Sequence, residues 1–413
     1  MKKLIGCLLP ILVILAVVTG CKASEEKKTD LTLWWPPFGT AESMDMEFWT
    51  KSLAPWAEAN KVNLSIEITP WETIEEKYLT GLSSGAGPDV GYMYAEMLDQ
   101  FVTMGSLEDL APYFSQAELD NYLYTDMGYV YGKLYTLPII VGNVRVFFFN
   151  MDLVAKAGIT TLPRTWDEFI EFGKKMQAAN LGDDIYIYVP QWTDRHYGTL
   201  QEAYYPFLWT AGGDIFTQDG SRIALQDNDA AVKAAQFVYD LLYVHQIAPP
   251  ESLSSLGKIE ELFAQGKVVC MHGAGTVAPT FDEAGINWDF VTSLKDKREA
   301  VQLVADVLFM NSASKNKELA ASLMKEMTKP SIMEVFHTEV SPFPPISRGE
   351  AYKDNPKFRS FYENPQNVVI IPVAKNNFQI QDNLFRNLQQ MMMNEMSPEQ
   401  AIQETVNYAN LLN

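Results

Sequence analysis

Residues 81–110 restrict the possible folds most, because they encode a helix, a turn, a strand and a second helix in close succession. Gly87 and Pro88 end the first helix, since glycine permits unusual backbone angles and proline pushes the preceding residue out of the helical region. Residues 90–94 are short and apolar enough for a buried strand, and a helical period follows them. This order predicts a parallel α/β sheet, in which ligands bind just beyond the carboxyl ends of the strands.

Strand and helix alternate along most of the remaining chain. Residues 31–35 form a predicted first strand, and Thr165 and Glu168 have the spacing of a capping box that opens a helix. Two sets of strand and helix alternation are joined near residues 137–145 and again near residues 303–306. Because lobes connected by more than one strand form a hinge, the sequence predicts a two-lobed α/β protein.

The amino-terminal residues 1–20 have the pattern of a secretory signal peptide, with two lysines before an apolar run at 4–18. That run is shorter than the ~20 residues that span a bilayer, so a transmembrane anchor is the weaker alternative. Val-Thr-Gly-Cys, which ends at Cys21, resembles a bacterial lipobox. We therefore expect lipidation of Cys21 with acyl chains such as palmitate, and a lipidated tether over 21–30. The alternative is an ordinary signal peptide followed by a chance cysteine.

Charge and side-chain chemistry exclude several functional classes. The 413-residue chain carries a formal net charge of −20, so nucleic acid is not an expected partner. Its four histidines have no metal-ligand spacing, and residues 81–85 match the nucleophile-elbow pattern but follow a helix rather than a strand. Outside the signal and lipidation segments, Cys270 stands alone in an apolar run, which favours packing. The sequence predicts no catalytic residue, no metal and no cofactor.

Aromatic side chains cluster where successive predicted strands end. Trp35 and Phe38 lie at the end of the first strand, Trp71 lies beyond the second, and Tyr92 or Tyr94 lies at the end of the third. Sugars present apolar C–H faces and a belt of hydroxyls, so a sugar site needs flat aromatic platforms and polar groups at their edges. This pattern indicates a carbohydrate site, although packing in the core or between lobes is an equal alternative for each ring. Trp34, inside the first strand, is interpreted as core.

Two charged residues extend the candidate site. Glu96, beyond the third strand, would accept hydrogen bonds from sugar hydroxyls, and a solvated helix start is its alternative. Arg145 stands alone in an apolar strand beside the presumed hinge, where its alternation allows it to face a cleft. Burial against an acid of the other lobe is the alternative for Arg145.

Several motifs together resemble the extracellular solute-binding proteins of bacterial ABC importers, specifically the large sugar-binding family that includes the maltose-binding proteins. They occur in the family's order and cover residues 31 to about 340, at 84–90, 105–107, 132–138, Asn150, 157–158, 163–169, 211–213 and 263–267. The resemblance implies a type II periplasmic-binding fold, with each lobe a mainly parallel sheet flanked by helices and a ligand cleft at the hinge. The lobes would comprise 31–140 with 303–342, and 141–302 with 343–413.

The resemblance also nominates site residues. The family's acid after the Pro-Asp turn falls on Glu96, and its Leu-Gln-Glu-x-Tyr segment is similar to 200–204. Where maltose binders place an acid after the crossing strand and an aromatic after the late glycine-rich loop, this chain has different residues, which argues against maltose-like specificity. The candidate ligand-binding residues are Trp35, Phe38, Trp71, Tyr94, Glu96, Asn143, Arg145, Glu202, Tyr204, Gly213, Asp214, Gly275 and Thr276.

The expected function is that of a monomeric, non-enzymatic, lipid-anchored solute-binding protein outside the cytoplasm, on the cell membrane or the outer membrane. It would capture a sugar or polyol, most simply a di- or oligosaccharide, by lobe closure and deliver it to an ABC transporter permease. Two alternatives remain open on the sequence alone. One is a secreted carbohydrate-active hydrolase, because the spatial separation of Glu96 and Glu202 is unknown from sequence. The other is an adhesin that binds polymeric glycan.

Overall fold

The computed structural model describes residues 28–39, 41–142, 144–190, 192, 197–218, 220–254, 258–341, 343–350 and 367–412. Its strands are β1 (Thr29–Trp35), β2 (Val62–Ile68), β3 (Val90–Tyr94), β4 (Tyr129–Val130), β5 (Lys133–Leu134), β6 (Thr136–Gly142), β7 (Arg145–Asn150), β8 (Tyr186–Tyr188), β9 (Val268–Ala274), β10 (Trp288–Val291), β11 (Val301–Gln302), β12 (Val304–Met310) and β13 (Val368–Val369).

The helices lie between and after these strands. They are α1 (Glu42–Ala59), α2 (Ile74–Ser83), α3 (Leu98–Thr103), α4 (Gln116–Leu119), α5 (Met151–Lys156), α6 (Trp166–Ala179), α7 (Leu200–Ala203), α8 (Tyr205–Thr210), α9 (Ala230–Tyr243), α10 (Ile259–Ala264), α11 (Ala278–Glu283), α12 (Lys317–Met327), α13 (Pro330–Glu339), α14 (Asn377–Met392) and α15 (Pro398–Leu412). Among the described residues, none of the helices has the length and apolar character needed to cross a membrane.

Two separate sheets organise the chain. The first has the strand order β2-β1-β3-β12-β6, in which β1 is parallel to β2 and β3 while β12 is antiparallel to β3 and β6. The second has the order β10-β7-β9-β8, and within it only β8 and β9 are parallel. The expectation of a mainly parallel sheet in each lobe is therefore wrong: two of the four pairings in the first sheet and two of the three in the second are antiparallel. The cause is that β12 and β7, which each adjoin a passage between the lobes, run opposite to their neighbours.

Each sheet has its own hydrophobic core. The first core includes alternate β1 residues such as Leu31 and Leu33 and the helices that pack beside them. The second sheet is covered on both faces by apolar side chains, with Phe147 in one cluster and Phe148 in the other. The proposed lobe boundaries stay a prediction, but Phe343 and Ile346, which they assign to the second lobe, pack in the first core.

The chain passes between the two sheets at the segments that the sequence indicated. Strand β6 of the first sheet continues into β7 of the second, and Gly142 at this passage has a φ of 134°, which favours glycine. A second passage runs from β11 into β12, where β11 pairs in parallel with β13. These neighbouring passages are the place where the chain connects the two lobes, which is where a hinge is expected.

The capping box at the start of α6 forms in a slightly shifted arrangement. Thr165 accepts a hydrogen bond from the backbone N–H of Glu168 at 3.2 Å. The Glu168 carboxylate accepts one from the backbone N–H of Arg164 at 2.7 Å, one residue before the cap. The predicted helix start is therefore confirmed, because the side-chain oxygens satisfy backbone donors that the helix itself leaves open.

Candidate functional site

Polar and aromatic side chains meet where the chain passes between the lobes. Tyr94 ends β3, and its ring packs against the core clusters of both sheets, while its hydroxyl donates to Glu75. Glu96 lies in the single helical turn Ala95–Met97 just after β3 and is buried. Both residues therefore lie at the carboxyl end of a central strand, the position at which α/β sheets gather ligands.

Arg145 links this turn to the second lobe. At the start of β7, its guanidinium donates to Oε1 of Glu202 at 2.9 Å and to Oε1 of Gln201 at 3.0 Å. The amide nitrogen of Gln201 in turn donates to Oε1 of Glu96 at 3.3 Å. A planar guanidinium that contacts two acceptors holds both in a defined geometry. This series of hydrogen bonds from Glu96 to Glu202 therefore connects the two lobes.

Asp306 lies buried on β12 within the same polar cluster, and sequence reasoning did not nominate it. It pairs with Tyr94 across the sheet and is 2% exposed. Burial first, and then the charge of Glu96, raise the pKa of Asp306 well above its ordinary value, while Arg145 opposes the shift. Asp306 could have been found from the sequence, because it is the single acid in the apolar strand 304–310.

Asp306→Asn is expected to flatten the pH dependence of stability. The raised pKa means that folded Asp306 keeps a proton that the unfolded chain releases above about pH 4, so the free energy of unfolding falls as pH rises. An amide does not ionise, so the variant should gain stability over the wild type between about pH 5 and about pH 8. Urea denaturation across this range measures the difference. Asp289→Asn, at an exposed position, is the control. If the free energy of unfolding fell equally with pH in the wild type and in Asp306→Asn, the raised pKa of Asp306 would be contradicted.

A group of aromatic rings lies on the first lobe beside the polar cluster. Phe38 contacts Trp71 and Tyr92 edge to face, with ring centroids 5.2 and 5.4 Å apart. The carboxylate of Asp45 accepts from the backbone N–H of Phe38 at 2.8 Å and fixes this loop. Trp71 is 38% exposed, and its indole N–H donates to the carbonyl of Pro37. Phe38 and Trp71 are therefore held in place with ring surface open, which suits a sugar platform.

Trp35 does not have this accessibility, which corrects the sequence interpretation. Its side chain is 0% exposed, packed edge to face against Trp49, Tyr92 and Phe336. Trp34 instead is half-buried. Trp34 nevertheless packs against the first core, as predicted, so only the interpretation of Trp35 is wrong. A strand alternates its side chains between faces, and the sequence did not reveal which face of β1 lies deeper in the core.

The structure also corrects the prediction that Tyr204 binds ligand. It is fully buried in the second lobe, and its hydroxyl donates to the carbonyl of Ala231 at 2.9 Å, so it supports the core rather than a ligand. Gly213 is buried as well, and an added Cβ there would meet Leu208 and Ala230 within 3.0 Å. Its neighbour Asp214 forms an ion pair with Arg298 at 3.5 Å.

The remaining nominated residues lie next to Arg145 along the chain or across the sheet. Ala274 pairs with Arg145, and the backbone N–H of Gly275 donates to the carbonyl of Val144 at 2.8 Å. Gly275 and the half-buried Thr276 therefore lie beside the polar cluster. Asn143 and Cys21 are outside the described residues, so their predicted roles in ligand binding and lipidation stay predictions.

His272 and Gln201 are further residues that the sequence interpretation left out. His272 on β9 is buried, with its ring 4.4 Å from that of Phe147. Burial, followed by the positive charge of Arg145, lowers the pKa of His272 well below its ordinary value, so the imidazole is neutral.

Within the described part of the chain, no group of three His, Cys, Asp or Glu side chains is arranged to hold a metal ion.

Similar sequences and structures come from bacterial binding proteins. The chain is 27% identical over 304 residues to the diacetylchitobiose-binding protein DasA of Streptomyces coelicolor, covering 71% of this chain and 68% of that protein. It is 26% identical over 236 residues to an arabinooligosaccharide-binding protein of Halalkalibacterium halodurans, covering 54% and 48% of the two chains.

Solved structures establish the fold. A Thermotoga lettingae ABC transporter solute-binding protein bound with α-D-tagatose has a TM-score of 0.79 at 22% identity and covers 93% of this chain and 100% of its own. The maltose-bound MalE3 of T. maritima has a TM-score of 0.77 at 22% identity with the same coverage. The predicted two-lobed, type II periplasmic-binding fold is confirmed by these similarities. The match of residues 40–334 to the family model shows that the chain belongs to the bacterial extracellular solute-binding protein family.

Proposed function

We propose that this chain captures a sugar between its two lobes and presents it to the permease of an ABC transporter. The observation that carries the proposal is the series of hydrogen bonds that runs from Glu96 through Gln201 and Arg145 to Glu202. These bonds bring polar groups of both lobes to one place beside Phe38 and Trp71. Two relatives are named for di- or oligosaccharides, which supports a ligand of that class.

The chemistry of these side chains suits a sugar. Carboxylate, amide and guanidinium groups bond the hydroxyl belt, and the exposed ring of Trp71 packs against the C–H face. A micromolar site needs about 8 kcal/mol of net binding energy. One or two aromatic platforms and several charge-assisted hydrogen bonds, each worth about 1.5 to 3 kcal/mol, suffice for that without any covalent step.

Lobe closure couples binding to delivery in this proposal. A ligand that contacts both lobes binds the closed form more tightly than the open form, and that difference in binding energy drives closure. The permease would engage the closed form. Lipid attached to Cys21 would hold the protein at the outer face of a membrane, where two or more acyl chains give durable anchoring.

Thermal unfolding against a panel of mono-, di- and oligosaccharides tests the proposal. A ligand that binds only the native state raises the melting temperature by an amount that grows with its concentration over the dissociation constant. We expect one sugar class to raise it and to be recovered chemically intact. Release of shorter sugars would favour a hydrolase instead, and no shift with any sugar would contradict the proposal.

Trp71→Ala is expected to weaken binding of that sugar at least tenfold while changing the free energy of unfolding by less than about 1 kcal/mol. The reason is that the ring is 38% exposed and its loss opens no enclosed cavity. Calorimetric titration and urea denaturation measure the two effects. Tyr129→Ala, at an exposed aromatic in the short hairpin β4–β5, is the control. Unchanged affinity in Trp71→Ala would remove this ring from the site.

A further inference from the structure

A cavity of about 60 Å³ lies in the second lobe, beside the polar cluster, and none of the functions above uses it. It lies at the end of β8 and beside Met271 and His272 of β9, the parallel neighbour of β8 in the second sheet. Its polar lining comes from Tyr188, Thr199, Glu202, Glu260 and His272, and the rest is apolar. The cavity is large enough for a small polar substituent, and it occupies the strand-end position that α/β sheets use for ligands.

Two buried polar atoms in this lining have no hydrogen-bond partner in the described chain. They are the hydroxyl of Tyr188, a side chain 1% exposed, and Nδ1 of His272, a side chain 7% exposed. Burial raises the pKa of the Tyr188 hydroxyl well above its ordinary value, and the Cys270 and then the Glu202 side chains add to the shift. Because an unpaired buried polar atom is costly, these two atoms point to a ligand group that pairs with them.

The lining offers acceptors and a negative charge. Neutral His272 accepts at Nδ1 when its other ring nitrogen carries the proton, and the Tyr188 hydroxyl accepts as well. Glu260 adds a carboxylate at the start of α10, and it has no ion pair with any described residue, whereas Glu202 is paired with Arg145. Arg145, whose positive charge lowers the pKa of His272, is itself paired with Glu202, so Glu260 leaves the lining with one negative charge. That carboxylate and two neutral acceptors match an ammonium group, which brings three N–H donors and a positive charge.

We propose that this cavity binds the ammonium group of an amino sugar, held by Glu260, Tyr188 and His272. The inference rests on the proposed function, because the cavity shares Glu202 with the sugar site and extends it into the second lobe. The cavity selects among sugars in two ways. It favours an amine over a hydroxyl at the same carbon, and its carboxylates repel a sugar acid.

Calorimetric titration of the full chain with matched sugars tests this inference. Each set holds one mono- or disaccharide skeleton and varies one substituent among amine, hydroxyl, N-acetyl and carboxylate. In whichever set binds, we expect the amine to bind about fivefold more tightly than the hydroxyl, a modest ratio because Glu260 is partly exposed. Glu260→Gln should abolish that preference, and Glu261→Gln, at the exposed neighbouring position, should keep it.

The outcomes separate the two proposals. If a hydroxyl sugar binds as tightly as its amine, or if Glu260→Gln leaves the preference unchanged, the amino-sugar inference is overturned while sugar binding stands. If no member of any set binds, the sugar-binding proposal and the inference both fall.

Discussion

Trp35→Ala is expected to lower the free energy of unfolding by about 4 kcal/mol, within the range for deletion of a large buried aromatic. The side chain is 0% exposed, and its indole N–H donates to the buried carboxylate of Asp45 at 2.9 Å. Truncation opens a cavity among Trp49, Tyr92 and Phe336 and removes one hydrogen bond from a carboxylate whose pKa burial already raises. Urea denaturation at neutral pH measures the loss.

The matched comparison for this prediction is Trp71→Ala, the same substitution at an exposed ring of the same lobe. Trp35→Ala should lose stability while the folded fraction keeps its affinity for sugar, and Trp71→Ala should do the reverse. A Trp35→Ala protein of normal stability would contradict the assignment of Trp35 to the core. Trp35→Phe should lose less stability, because most of the buried volume is kept.

Arg145→Met is expected to cost about 2 kcal/mol of stability and to abolish most sugar binding. The Arg145 side chain is 17% exposed, and its removal leaves Glu202 and Gln201 without their shared donor. Breaking a buried ion pair costs more than this, but the Glu202 side chain is 38% exposed, so water compensates part of the loss. Arg164→Met, at an exposed position, should stay within about 0.5 kcal/mol of the wild type.

A double-mutant cycle measures how much of the stability lost in Arg145→Met comes from the Arg145–Glu202 ion pair. Arg145→Met, Glu202→Gln and the double variant should give a coupling energy of about 1 kcal/mol for a partly exposed pair. Arg145→Lys should rescue only part of the binding, since an ammonium lacks the planar fork that contacts two acceptors. If the stability losses of the two single variants added up to the loss of the double variant, Arg145 would act through its packing rather than through Glu202.

Much of the fold was predictable because its signals are local. The glycine and proline turn before β3, the alternating strands and the cap at Thr165 each depend on neighbouring residues, and the structure forms them where the sequence indicates. Strand directions in the second sheet were not predictable in the same way. They depend on how the chain passes between lobes, and hydrophobic periodicity does not encode that passage.

The candidate site was predicted only in part. Glu96, Arg145 and Glu202 were nominated, and the structure connects them through Gln201, but their role in ligand binding stays a prediction. Trp35 and Tyr204 were nominated for their chemistry, yet tertiary packing buries both. Aromatic residue type alone therefore does not distinguish a platform from a core residue.

The residues that sequence reasoning missed share one feature. Asp306 and His272 are single polar side chains within apolar strands, and both are buried at the passage between the lobes. Polar residues in such positions are costly unless they are paired or functional, so their isolation in an apolar run is a usable signal. Which groups face them is a tertiary property, and only the fold supplies it.

The crystal structure of the protein with the sugar that raises its melting temperature most would test the central claim most directly. The account predicts one intact sugar enclosed between the lobes, with its C–H face on Trp71 and its hydroxyls bonded to groups from both lobes, among them Glu96 and Arg145. A sugar bound to a single lobe, or at a surface away from the hinge, would contradict it.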